Sequence, residues 1–327
     1  MHISVIIATR NRFADLQLTL AGLTDCRTFP EDEFEIIVVD SNSSIPLRRE
    51  DVGERCRIVR VNVAGRSLAR NAGADVSRGE LLVFLDDDVT VDSELLECYW
   101  RAHHQWPTAL LVGSVRLPQD LQKTPFGRFR QALEDKCLPS PGVVVHNPNF
   151  CTAANMAVPS IVLSRPHGFD EAMESAEDQD FAMRFGRESG CVVFVPEARV
   201  VHRDRAIDIN AYCKRAEWGM ERMRPFCDRY PEFYDNLERE RVNGQTTWFQ
   251  EPFSSSVKKS LKCALGREPY LSVLLWWIHL LEILAPASWL LDKTYRLALG
   301  IHILRGYRKA FSVRSGRPAE AIVCPGS

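Results

Sequence analysis

Five apolar residues, Leu81-Leu82-Val83-Phe84-Leu85, run without a break into three aspartates, Asp86, Asp87 and Asp88. An apolar run of strand length with no polar alternation reads as a strand buried on both faces, the habit of parallel sheets covered by helices. The pattern recurs upstream, where residues 3–8, 34–40 and 56–61 are predicted strands. Helical periodicity at 14–23 and 67–74 lies between them, and a helix at 93–106 with a strand at 109–115 continues the alternation. Such alternation predicts an α/β domain with a mainly parallel central sheet flanked by helices. Ligands of these sheets bind beyond the carboxyl ends of the strands. Thr9, Arg10, Asp40 and the aspartate triplet all end predicted strands, so they are expected to face one crevice.

The pattern weakens over 117–149, where a short helix at 126–135 and a strand at 143–146 are predicted. Strand-like runs return at 153–158, 191–195 and 199–202, with a helix at 177–187 among them. Beyond about residue 210 the reading is helical, at 211–224 and again at 231–241. The expected division is therefore a nucleotide-binding domain at 1–209 and a helical extension at 210–327.

Within the extension, 271–291 is strongly apolar and close to the ~20 residues that span a bilayer. It contains His279, Glu282 and Pro286, which suit a lipid-spanning helix poorly. Lys258, Lys259, Lys262 and Arg267 precede it, and Lys293, Arg296, Arg305, Arg308 and Lys309 follow. Basic flanks with Trp276, Trp277 and Trp289 fit a helix lying in a membrane interface, so peripheral contact through 257–309 is expected. A helical hairpin packed in the core is the competing reading.

The formal net charge of −2 supplies no basic field, and no nucleic-acid partner is expected. Ten cysteines without a CxxC pair read as reduced, mostly buried thiols. The opening MHISVIIATRNR lacks the pattern of an export signal. Together these predict a cytoplasmic location, peripheral on the inner face of the membrane.

Three adjacent carboxylates repel one another unless cations or donors compensate. Hard oxygen ligands on a loop suit Mg²⁺ or Mn²⁺, which in turn hold phosphate oxygens. Asp40 follows the buried run ending in Val39 and can accept hydrogen bonds from a nucleobase. Gly65-Arg66-Ser67-Leu68-Ala69-Arg70-Asn71-Ala72-Gly73 brings arginines whose planar donor forks match a pyrophosphate.

With Val5-Ile6-Ile7-Ala8-Thr9-Arg10-Asn11-Arg12, Val39-Asp40-Ser41, Ala69-Arg70-Asn71-Ala72-Gly73, Gly168-Phe169-Asp170-Glu171 and Glu177-Asp178-Gln179-Asp180, the chain resembles the inverting family 2 glycosyltransferases of the GT-A fold. The ordered set covers roughly the first two hundred residues. The resemblance implies transfer of a sugar from a UDP-, GDP- or dTDP-sugar to a glycan or lipid-linked acceptor. It implies that Thr9 and Arg10 line the nucleotide pocket with Asp40 on the base, and that Asp86 and Asp88 are the outer acids of a DxD motif. Asp87, Arg66, Arg70 and Asn71 are expected around the same donor. Asp86 and Asp88, with His202, would ligate the cation, and Asp178 would be the catalytic base. Asn155 is a candidate sugar contact, although Pro159-Ser160 stands where the family often has a basic residue. A sugar nucleotidyltransferase is the rival enzyme class, but 8–12 lacks its glycine-rich loop. A non-catalytic nucleotide-sugar binder is the other alternative.

Overall fold

In β1 (Ile3–Thr9) alternate residues go to opposite faces of one sheet, and both faces are covered. Ile3, Val5 and Ile7 pack in one cluster with Leu16, Leu20, Leu23 and Tyr99, while Ile6 packs in the other with Ala69, Phe169, Phe181 and Phe185. That two-sided burial is why the strand sequences show no polar alternation. The computed structural model describes residues 1–26, 28–141, 150–162, 168–188, 190–231, 242–249 and 251–312.

The chain divides into two units. The first comprises Met1–Gln119, Gln131–Ala172 and Glu177–Asp204. After β1 it contains α1 (Phe13–Thr24), β2 (Phe34–Ser41), α2 (Arg49–Val52), β3 (Cys56–Val61), α3 (Arg66–Asp75), β4 (Leu81–Asp86), β5 (Val89–Val91), α4 (Leu95–Gln105) and β6 (Leu110–Arg116). Next in the chain are α5 (Gln119–Lys123) and α6 (Pro125–Asp135), which fall largely in the second unit; the first then resumes with β7 (Asn155–Pro159), α7 (Glu177–Glu188) and β8 (Val192–His202). The sheet order is β3-β2-β1-β4-β7-β6-β8-β5.

The strands β3, β2, β1 and β4 are parallel, as expected, and β6 is parallel to β8. β7 runs antiparallel to both of its neighbours, and the three-residue β5 adds an antiparallel edge on β8. The two runs predicted at 191–195 and 199–202 form the single strand β8. Its register against β6 slips where Gly113 faces Val195 and Ser114 faces Arg199, which leaves Pro196 in an irregular stretch that needs no ladder donor. The strand predicted at 143–146 lies outside the described residues, as does the helix at 231–241 beyond its first residue.

The second unit comprises Asp120–Arg130, Met173–Ala176 and Arg205–Ser327. It holds α8 (Ile209–Arg222), α9 (Arg224–Arg229), α10 (Phe253–Leu265), α11 (Glu268–Leu284) and α12 (Trp289–Ser312). α8 and α12 approach closely at Gly306, where an added Cβ would lie 2.4 Å from the Glu217 carbonyl oxygen. The apolar stretch 271–291 is divided between α11 and the start of α12, with Pro286 in the break. Among the described residues no helix is long and apolar enough to cross a membrane. Of the nine cysteines among the described residues, six are buried.

Candidate active site

Strand register sets the site. Thr9 pairs with Asp40 across β1 and β2, and Ala8 pairs with Asp86 across β1 and β4, so three predicted residues end level at the carboxyl edge of the sheet. The turn after β4 is fixed from beneath by Thr19 of α1, whose hydroxyl lies 2.8 Å from both the Asp87 and the Val89 carbonyl oxygens.

The three aspartates point different ways. Asp87 turns inward, accepting from the Thr9 hydroxyl at 2.6 Å and from Arg12 at 3.1 Å. Burial pushes its carboxyl up to about 6, against the pull of Thr9 and Arg12. Asp88 accepts from Arg12 Nη1 at 2.7 Å through one oxygen and contacts His202 Nε2 at 2.9 Å through the other. Burial alone would raise Asp88, but the His202 hydrogen bond and charge, with Arg12, hold it below its ordinary value. His202 moves the opposite way: burial opposes its protonation, yet Asp88 raises it.

One ligand atom from each of Asp86, Asp88 and His202 lies within 4.8 Å of the other two. Two carboxylates and one imidazole form a hard, partly anionic donor set that fits Mg²⁺ or Mn²⁺. The half-buried Arg12 supplies countercharge beside it.

Arg70 connects this corner to the start of α7. Fully enclosed above the Phe169 ring, it donates to Asp86 at 3.0 Å and to Glu177 at 3.0 Å. Arg66 reaches Glu177 at 3.2 Å and keeps more than half of its side chain exposed. Asp178 is the next residue. Its carboxylate accepts from the backbone N–H of Gln179 at 2.9 Å and of Ala153 at 3.3 Å. Burial, then the neighbouring Glu177, push Asp178 up to about 6, while Arg70 and Arg66 resist the shift. A carboxyl tuned there is ionised at neutral pH yet basic enough to accept a proton.

The remaining predicted residues have local duties. Asp40 is buried and accepts from the backbone N–H of Ser43 at 2.9 Å and from Arg60 at 3.2 Å, which shapes the loop after β2. Arg10 is exposed at the end of β1. Asn71 holds the 168–171 loop by pairing with both backbone groups of Phe169 and with Glu171. Asn155 is fully buried, and its amide is committed to the Ser114 and Ala198 carbonyls and to the Tyr99 hydroxyl. It fills the notch left by Gly113, where a Cβ would lie 2.3 Å from its Nδ2. Its donors are spent inside the scaffold, so the geometry gives no support to a sugar contact by Asn155. Arg12 and Glu177 are the functional side chains without an assigned role in the sequence reading. The signal for Arg12 was its spacing of three from Thr9, which sets both residues against Asp87.

Residues 4–134 match the model for glycosyl transferase family 2. The pre-mycofactocin glycosyltransferase of Mycobacterium tuberculosis is 26% identical over 237 residues, covering 70% of this chain and 48% of that protein. The chain thus spans about half the length of that curated relative. The mannosyltransferase PcManGT from Pyrobaculum calidifontis, solved in complex with GDP-Man and Mn²⁺, superposes with a TM-score of 0.58 at 16% identity over 95% of this chain and 87% of that one. Staphylococcus aureus TarS 1–349, solved with UDP, gives 0.52 at 18% identity over 100% of this chain and 95% of its own. The segment 4–134 thus matches glycosyl transferase family 2, and the chain shares the GT-A fold of these solved transferases.

Proposed function

We propose that the chain transfers a sugar from a nucleoside-diphosphate sugar to an acceptor hydroxyl, with inversion at the anomeric carbon. The observation that carries this reading is the Arg70 bridge. One enclosed cation bonds both Asp86, on the ligand side, and Glu177, which adjoins the base Asp178. In the reaction the acceptor oxygen bonds to the anomeric carbon as the bond from that carbon to the diphosphate oxygen breaks. Asp178 takes the acceptor proton, and the electron pair leaves with the diphosphate. A divalent cation, Mn²⁺ or Mg²⁺, held by Asp86, Asp88 and His202 offsets the leaving group's charge when bound. Arg66 presents a donor fork toward the diphosphate, while Asp40 with Arg10 borders the nucleotide and Asn71 steadies the adjoining loop. Thr9 and Asp87 form the buried floor that aims Asp88.

The UDP and GDP-Man complexes of the structural neighbours support a nucleoside-diphosphate sugar as donor. The proposed catalytic domain is 1–209. The proposed acceptor is a glycan or a lipid-linked glycan, and the proposed location is the cytoplasmic side of a membrane, with peripheral contact through 257–309.

Thermal melting with UDP, GDP, dTDP or CMP, each with and without Mn²⁺, tests the reading. A ligand bound only by the native state at 100 times its dissociation constant adds about 2.7 kcal/mol. One diphosphate is expected to stabilise only with metal, and Asp88→Asn to lose that effect. No shift with any nucleotide would remove the basis for transfer and favour a non-catalytic role.

A further inference from the structure

α11 is mostly apolar, but only one side is covered. Leu271, Ile278 and Leu281 are buried. Val273, Trp276, Trp277, Ile283 and Leu284 are exposed, from 40% for Trp277 to 71% for Leu284. At 3.6 residues per turn these five fall within an arc of about 120°, opposite the buried residues, and so form one continuous face. Trp289, 69% exposed at the start of α12, adds another ring beyond the break. Isolated exposed apolar residues are ordinary, whereas a continuous face with two adjacent tryptophans marks an interaction surface.

The charges around the face select its partner. Residues 253–296 carry six Lys or Arg against three Asp or Glu; of these Lys259 is buried against Glu251 and Arg296 pairs with Asp292, while Lys258, Lys262, Arg267 and Lys293 complete the basic set. Lys293 lies 4.6 Å from the Trp289 ring centroid. On α10, Lys258 and Lys262 stand one helical turn apart; burial, then the charge of Lys258, push Lys262 below its ordinary value. A second copy of the chain would bring the same cations against these, which opposes self-association. An anionic lipid surface offers the converse: an apolar layer to receive the face and phosphates to meet the lysines.

Resting on the membrane-peripheral reading above, we propose that the outward face of α11 is a docking surface for an anionic bilayer. It lies flat in the headgroup region, with Trp276 and Trp277 as its anchors. No helix needs to span the membrane for this contact.

The test is co-sedimentation of the full chain with phosphatidylcholine vesicles, with and without phosphatidylglycerol, while tryptophan emission is followed. The chain is expected to bind the phosphatidylglycerol vesicles with a blue shift. Substituting Trp276→Ser and Trp277→Ser together is expected to cut the bound fraction about tenfold at unchanged melting temperature, because both rings are exposed in the fold. Lys258→Glu is expected to weaken binding to anionic vesicles alone. Failure of the wild-type chain to bind either vesicle overturns the proposal. So does a dimer dissociated by the same double substitution, which would give the face to a second copy. Hydrolysis of a UDP- or GDP-sugar in vesicle-free buffer is measured alongside and is expected to survive the double substitution. Its loss in the wild type, with vesicle binding intact, would instead refute the transferase reading.

Discussion

Each unit contains a buried carboxylate–histidine pair. Asp88 meets His202 at 2.9 Å in the first, and Glu217 meets His302 at 2.7 Å in the second. The pairs share chemistry but differ in their surroundings. Glu217 also receives Lys309 at 2.7 Å and Arg305 at 3.4 Å, so one carboxylate faces three basic groups. Asp88 shares its corner with Asp86 and Asp87, and of the nearby arginines, Arg70 is divided between Asp86 and Glu177. The histidines respond accordingly. His202 is raised by its acids in spite of burial, whereas burial lowers His302 in spite of Glu217. A surplus of carboxylate, rather than the pair itself, is what makes a cation site; where cations already dominate, the same pair is a structural clasp.

The sharpest way to break that contrast is to neutralise each acid. Asp88→Asn is expected to lower turnover about a thousandfold and to abolish metal-dependent nucleotide binding, with little loss of melting temperature. Glu217→Gln is expected to leave metal dependence intact and to destabilise the fold by about 2–4 kcal/mol, since Lys309, Arg305 and His302 lose their common partner. Titration calorimetry with Mn²⁺ and thermal melts read the two effects separately. Loss of Mn²⁺ binding in Glu217→Gln would erase the distinction.

Asp178 extends the contrast to a third acid, one left in surroundings that disfavour its charge. As the proposed base it must be ionised, so kcat/KM is expected to fall about tenfold per pH unit below about 6 and to level above it. The same shift costs stability. A carboxyl raised from 3.8 to about 6 on folding favours the native state while protonated, and that advantage is lost as pH rises from about 4 to 6. Asp178→Asn is therefore expected to abolish transfer yet to raise stability at pH 7 by about 1–2 kcal/mol, a gain that fades below pH 4. A pH-independent difference in melting would assign the effect to packing instead.

Much of this was written in local sequence. The runs ending at Thr9, Asp40 and Asp86 fixed strand positions and their carboxyl ends, because burial on both faces demands continuous apolar residues. Strand direction was less legible: nothing in Asn155-Met156-Ala157-Val158-Pro159 distinguishes a parallel strand from the antiparallel β7. Asn155 read as a candidate sugar contact, since its partners, Tyr99, Ser114 and Ala198, lie more than forty residues away. Arg12 went unassigned for a related reason. Its role depends on β1 and β4 being neighbours, which composition does not encode.

The smallest expected effect concerns how the proposed base, Asp178, is delivered. Ala176, immediately before α7, has φ of 61°, in the left-handed region that costs an ordinary residue about 1–2 kcal/mol. Asn11 and Asn42 share that conformation but have side chains suited to it, whereas alanine has nothing to offset the cost. Glycine removes the steric penalty but gives the unfolded chain more freedom, so Ala176→Gly is expected to gain at most about 1 kcal/mol, or roughly 1–2 °C in melting temperature. If the strained link only joins two segments, kcat stays unchanged while the melt rises. If kcat falls as the melt rises, the strain itself holds Glu177 and Asp178 in register with Arg70, and the cost in stability at this site lies in the backbone as well as in the charge.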